Sequence, residues 1–236
     1  MLHAMERSYK NVSYFFVATL AIVVAGFYKS YFSQFPTFSG LTYVHHIHTV
    51  LLLLWFAMLI VQPILIYQKR IDLHRLVGKF SYVLVPIIIL SLLAVMKIQY
   101  LKNAPRMPEM QNLAFLYLPT SALIPFVTLY VLAIVFKEHP ASHMRYMIAS
   151  AVALLGPGVG RINLGFTDFN TAVMVAFALC DVLLVGLLIY EYTKGKNYYP
   201  YLVSLLICSI FHYAFPWVPG SAIWQGFAKG AANWLF

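Results

Sequence analysis

Eight histidines punctuate a chain in which only 10% of residues are charged, and their positions suggest ligand chemistry. His45, His46 and His48 crowd the start of an apolar run in "TYVHHIHTVLLLLWF", and His212 lies in "SIFHYAFPW" near the end of another. His74 opens "DLHRLVGKF", His143 opens "ASHMRYM", and Asp181 stands in "ALCDVLL". Bis-histidine haem b requires one imidazole from each of two helices at matching depth. His48 with His212 would supply one such layer and His74 with His143 a second. Arg161, Arg75 or Lys79 would balance propionates, and Trp55 would pack on a porphyrin edge.

A second arrangement is zinc held by His45, His48 and His212, with Asp181 as fourth ligand or acid/base in an intramembrane hydrolase. The i,i+3 spacing of His45 and His48 suits one metal. No HExxH is present, and Asp181 lies about 6 Å too deep if the helices are straight. A third reading needs no cofactor. The histidines then cap helices and bind interfacial groups, Lys79 and Arg145 snorkel to phosphates, and the chain is a non-catalytic subunit of a larger membrane assembly.

The elements that must position these residues are membrane helices. Of 236 residues, 62% are hydrophobic and 10% charged, far below the roughly 25% charge of soluble domains. Runs of about 20 apolar residues span a bilayer. Seven candidates follow, at about 12–32, 43–67, 76–97, 112–136, 145–166, 170–192 and 199–218, giving an all-α integral membrane bundle in one domain. With the N-terminus inside, the linkers place ten Lys and Arg on the inner face and six on the outer, which favours N-inside and C-outside. The tail "SAIWQGFAKGAANWLF" reads as a short interfacial amphipathic helix.

Depth follows from a rise of about 1.5 Å per residue. His48 lies about 7 Å and His212 about 10 Å below the outer helix ends, with Arg161 at a similar level. Seven-residue steps from His48 reach Trp55 and Gln62, so His45, His48, Trp55 and Gln62 form a stripe directed into the bundle. His46 points elsewhere, toward the headgroups. An intramembrane carboxylate must face the interior and find a partner or a proton. Asp181 is thus a candidate proton relay, with Arg161 and Lys79 as the cations to test. "GPGVG", residues 156–160, should kink or break the fifth span. It serves either close helix packing or a discontinuous helix facing a site.

Several classes are excluded. The formal charge of +9 sits in short loops with no basic run interleaved with aromatics, so nucleic acid is not the partner. Cys180 and Cys208 form no CxxC and read as small core residues. The first apolar run is too long for a signal-peptide core, and no cleavage site follows it. The seventh span has no lysine for a retinal Schiff base. Transport of a small solute or protons stays open as a lesser alternative, although only one broken helix and no convincing internal repeat are evident.

The segments "HIHTVLLLLWFAMLIVQPILI", "RIDLHRLVGKFSYVLVP" and "HMRYMIASAVALLGPGVGRI" resemble a group of uncharacterised bacterial polytopic membrane proteins, over roughly residues 43 to 165. The pattern is also loosely similar to the cytochrome b561-type core, in which histidines on four consecutive helices hold two haems. Here the histidine helices are the second, third, fifth and seventh, and the fourth has none. The resemblance implies a multi-pass protein of a bacterial cytoplasmic membrane. The expected function is histidine-ligated haem, or metal, in membrane electron transfer or respiratory-complex assembly, with the lipid bilayer and other subunits as partners.

Overall fold

A computed structural model describes residues 2–162 and 168–236, with side chains from residue 11 onward. It is all-α among the described residues and divides into two compact units, Met1–Leu92 and Leu93–Phe236.

The first unit holds α1 (Leu2–Phe27), a 3-10 turn at Phe32–Gln34, α2 (Tyr43–Tyr67) and most of α3 (Ile71–Asn103), which continues into the second unit. α1 packs along α2, and the Ser13 hydroxyl donates to the Ile60 carbonyl at 3.2 Å. Phe16, Trp55, Phe56 and Leu59 are buried. α2 begins at a capping box in which Thr42 and His45 satisfy each other's amides, which is why the helix starts there. Gly78 of α3 faces Gln62, whose Nε2 would stand 3.5 Å from a Cβ at that position.

The second unit contains α4 (Glu109–Phe115), α5 (Tyr117–Val135), α6 (Pro140–Ala153), α7 (Leu155–Val159), α8 (Phe169–Thr193), α9 (Tyr199–Ala214) and α10 (Ala222–Leu235). α5 with α6 and α8 with α9 form helical hairpins, and α6 packs against both α8 and α9. Ala149, Ser150, Ala151 and Val152 are fully buried, small enough for these backbones to approach closely. Asp168 caps α8 by accepting from the Thr171 amide, which holds its carboxyl below the usual carboxylate range. α10 docks on α4, with the Trp224 indole donating to the Leu113 carbonyl at 3.0 Å.

Four segments are long and apolar enough to cross a bilayer: Tyr43–Tyr67, Ile71–Asn103, Glu109–Val135 and Phe169–Thr193. Asn11–Phe27 and Tyr199–Ala214 are shorter apolar helices. Only 33% of each long apolar window is buried, so most of its apolar surface faces outward. Leu76, Phe80, Val83, Ile87 and Leu90 form such an outward stripe on α3. Water does not tolerate apolar surface of this extent, and lipid does. The chain is a multi-pass membrane protein.

Some expected boundaries move. α1 ends at Phe27 rather than 32 and α9 at Ala214 rather than 218, while α3 runs beyond 76–97 at both ends. The fifth segment, expected at 145–166, starts at Pro140 and divides at Leu154 into α6 and α7; its residues 163–166 lie outside the described residues. The break falls before the Gly-Pro-Gly run because Pro157 cannot donate to the Ala153 carbonyl and its ring crowds that oxygen.

Candidate functional site

Among the described residues, the buried Arg, Asp, Glu and His side chains of the second unit form two pairs. His212 and Asp181, 5% and 6% exposed, meet with Nδ1 and Oδ1 2.9 Å apart. The ring of Phe177 stacks on His212, centroids 4.3 Å apart and planes 11° from parallel. The second carboxylate oxygen, Oδ2, is buried with no hydrogen-bond partner among the described residues. Among the described residues the partner of Asp181 is thus His212, beside which the zinc alternative also places it. The guanidinium of Arg161 is exposed and donates to the Pro157 carbonyl at 2.6 Å.

This meeting follows from the α8–α9 hairpin. Asp181 stands twelve residues before the end of α8, and His212 thirteen after the start of α9. Both are therefore about 18–20 Å from the shared turn. Depth reckoned from the far helix ends separated them because those ends are not level.

The second pair joins Arg145 in α6 to Glu191 in the last turns of α8, with side chains 4% and 8% exposed. Arg145 also donates to the Ala141 carbonyl at 2.7 Å. Asn197, in the α8–α9 turn, reaches the Ser142 hydroxyl at 3.4 Å. Arg145 thus does not snorkel outward. Glu191 escaped notice in the sequence because a carboxylate near a helix end, beside Tyr and Lys, looks like a solvated one.

The hydrogen bonds of the remaining histidines assign their ring protons. His143 Nδ1 lies 2.8 Å from the Ala133 carbonyl, which only accepts, so the proton sits on Nδ1. His48 Nδ1 lies 2.8 Å from Ser91 Oγ, whose own proton goes to the Ile88 carbonyl, so His48 is again the donor. An ionised Asp181 likewise accepts from His212 Nδ1. In all three rings Nε2 is left as the nitrogen with a lone pair. His45 is the reverse: its Nδ1 accepts from the Thr42 amide at 3.2 Å as part of the helix cap. His46 Nδ1 is 2.7 Å from the Tyr31 hydroxyl, and Phe38 packs edge-on against it.

Trp55 is wholly buried on α2, and His74 is half-buried in the first turn of α3. His48 and His74 belong to the first unit, His143 and His212 to the second. Among the described residues no three His, Cys, Asp or Glu side chains gather as a metal site requires, so the alternative zinc set gains no support. Cys180 and Cys208 are buried free thiols.

No known protein family matches the sequence, and neither a curated protein nor a solved structure is significantly similar to it.

Proposed function

We propose that this chain is a seven-span protein of a bacterial cytoplasmic membrane, N-inside, in which ring-fixed histidines ligate haem b for electron transfer or respiratory-complex assembly. The observation that carries this reading is the state of the imidazoles. His212, His48 and His143 each commit Nδ1–H to an acceptor, which fixes ring orientation and leaves Nε2 for a metal. The donor chemistry thus fits histidine-ligated iron, and His212 is the leading ligand because a carboxylate holds its ring in place. When bound, haem iron would supply one-electron exchange. The chain's own contribution is to hold the imidazoles, keep water from His212, and place Asp181 beside it as a local counter-charge.

Absorption spectra of the detergent-purified protein, air-oxidised and then dithionite-reduced, test this reading. The expected result is a Soret band with sharp reduced α and β bands that weaken in His212→Ala and His48→Ala. A colourless protein overturns it.

One observation favours the second reading, an accessory subunit without cofactor. His45 takes part in the α2 cap and His46 pairs with the Tyr31 hydroxyl, structural roles that need no cofactor. On this reading His212 and Asp181 are a structural pair, and their substitution lowers stability without removing any chromophore. Co-purification of a defined partner complex with a colourless, metal-free chain would select it.

A further inference from the structure

The first turns of α3 set cations above an outward apolar stripe. Residues 69–79, "KRIDLHRLVGK", hold four Lys and Arg against a single acid, Asp72. Arg70, Arg75 and Lys79 are exposed, and none of the three makes an ion pair or a side-chain hydrogen bond among the described residues. Asp72 is exposed as well and does not pair with Arg75 one turn away. The fold thus leaves this cluster of positive charge to a partner outside the protein.

At 3.6 residues per turn, Arg75 and Lys79 fall on the side of α3 that also carries Leu76, Val83 and Leu90, all exposed. The other side, with Ser81, Leu84, Val85 and Ile88, is buried. Between Lys79 and Lys97 the helix carries no charged residue over a length of about 27 Å. That length is close to the roughly 30 Å of bilayer hydrocarbon. Lys79 therefore stands at a hydrocarbon boundary and Arg75 one turn beyond it, at the level of lipid phosphates. Guanidinium and ammonium groups both suit phosphate oxygens, and the stripe below them suits an acyl chain.

We propose that the first turns of α3 are a binding surface for an anionic phospholipid, its phosphate on Arg75, Lys79 and Arg70 and an acyl chain along Val83 and Leu90. Free phosphate would meet the cations alone, whereas a lipid meets the cations and the stripe together, and this commits the occupant to lipid. The surface does not depend on haem.

Native mass spectrometry of the purified full chain in a neutral detergent tests it, with phosphatidylglycerol and phosphatidylcholine offered at equal concentration and inorganic phosphate offered alone. Wild type is expected to retain phosphatidylglycerol in preference to phosphatidylcholine and to retain no phosphate. Arg75→Gln with Lys79→Gln should weaken phosphatidylglycerol binding by about fivefold per charge removed, while Arg75→Lys with Lys79→Arg, which keeps both charges, should lose little. Lys102→Gln, which removes an exposed cation from the opposite end of the same helix, should leave binding unchanged. These side chains are exposed, so the fold tolerates their replacement. An equal loss in Lys102→Gln would mean attraction by net charge alone and overturn the site. Absence of a phosphatidylglycerol preference in wild type, or full binding in the doubly neutralised variant, overturns it too. Equal retention of inorganic phosphate would overturn the lipid assignment. A dimer that excludes phosphatidylglycerol and is lost on double neutralisation would give this face to a second copy of the chain instead.

Discussion

At the scale of single residues, the two buried pairs of the second unit make different demands. Arg145 and Glu191 carry full opposite charges out of solvent, so removal of one partner strands the other. Arg145→Met or Glu191→Leu alone should cost about 3–5 kcal/mol, and the double replacement clearly less than the sum of the two. A double-mutant cycle on thermal or denaturant unfolding in detergent reads this directly. Additive losses would mean that the pair is not coupled. Asp181 poses a milder problem, because its loss leaves an imidazole N–H without an acceptor. Asp181→Ala should cost about 1–3 kcal/mol. Asp181→Asn, which still offers a carbonyl oxygen to Nδ1, should cost less. Equal costs for Ala and Asn would show that the His212 hydrogen bond does not stabilise the fold.

At the scale of elements, the broken fifth segment is the most specific product of the sequence. Pro157 accounts for the break at Leu154, and the glycines on either side set how closely α7 approaches α8. At Gly156 a Cβ meets the Phe177 ring at an ordinary 3.7 Å, so Gly156→Ala should be neutral or should stabilise by up to about 1 kcal/mol through helix propensity. At Gly160 a Cβ would stand 3.3 Å from the Gly156 carbonyl, and a longer side chain would press on α8. Gly160→Leu should therefore destabilise by about 1–3 kcal/mol. Melting temperatures of the two variants decide the matter, and the reverse order would remove packing as the reason for these glycines.

The helices themselves were legible because hydropathy and length carry them; the start of α2 at Thr42 and the helical tail could be read from local residues. Contacts between helices were not. Asp181 and His212 are 31 residues apart, and only the position of the α8–α9 turn brings them level. Ser91 was invisible as a partner of His48 because one hydroxyl in an apolar run carries no sequence signal.

At the scale of the whole molecule, the Arg145–Glu191 pair bears on topology. It ties the beginning of α6 to the end of α8, and Asn197 ties the α8–α9 turn to Ser142 beside it. The chain that leaves this end through α6 and α7 therefore returns to it through α8. A fifth segment that dipped into the bilayer and came back would instead start α8 at this end and finish it at the other. Lys137, Lys194 and Lys196 lie in the two turns gathered here, which agrees with the proposal that this end is cytoplasmic. Pro140–Val159, divided at Leu154, is about 30 Å long if its two helices run in line, enough to cross the hydrocarbon core. On the proposed topology, seven crossings from a cytoplasmic N-terminus would place the α8–α9 turn inside and the C-terminus outside. Fusions of alkaline phosphatase, active only outside, and of green fluorescent protein, which matures inside, read both positions. A fusion after Gly195 should fluoresce and lack phosphatase activity, and one after Phe236 should do the opposite. If α6 and α7 fail to cross, both reporters invert together, and the burial of Arg145 against Glu191 would then need another explanation.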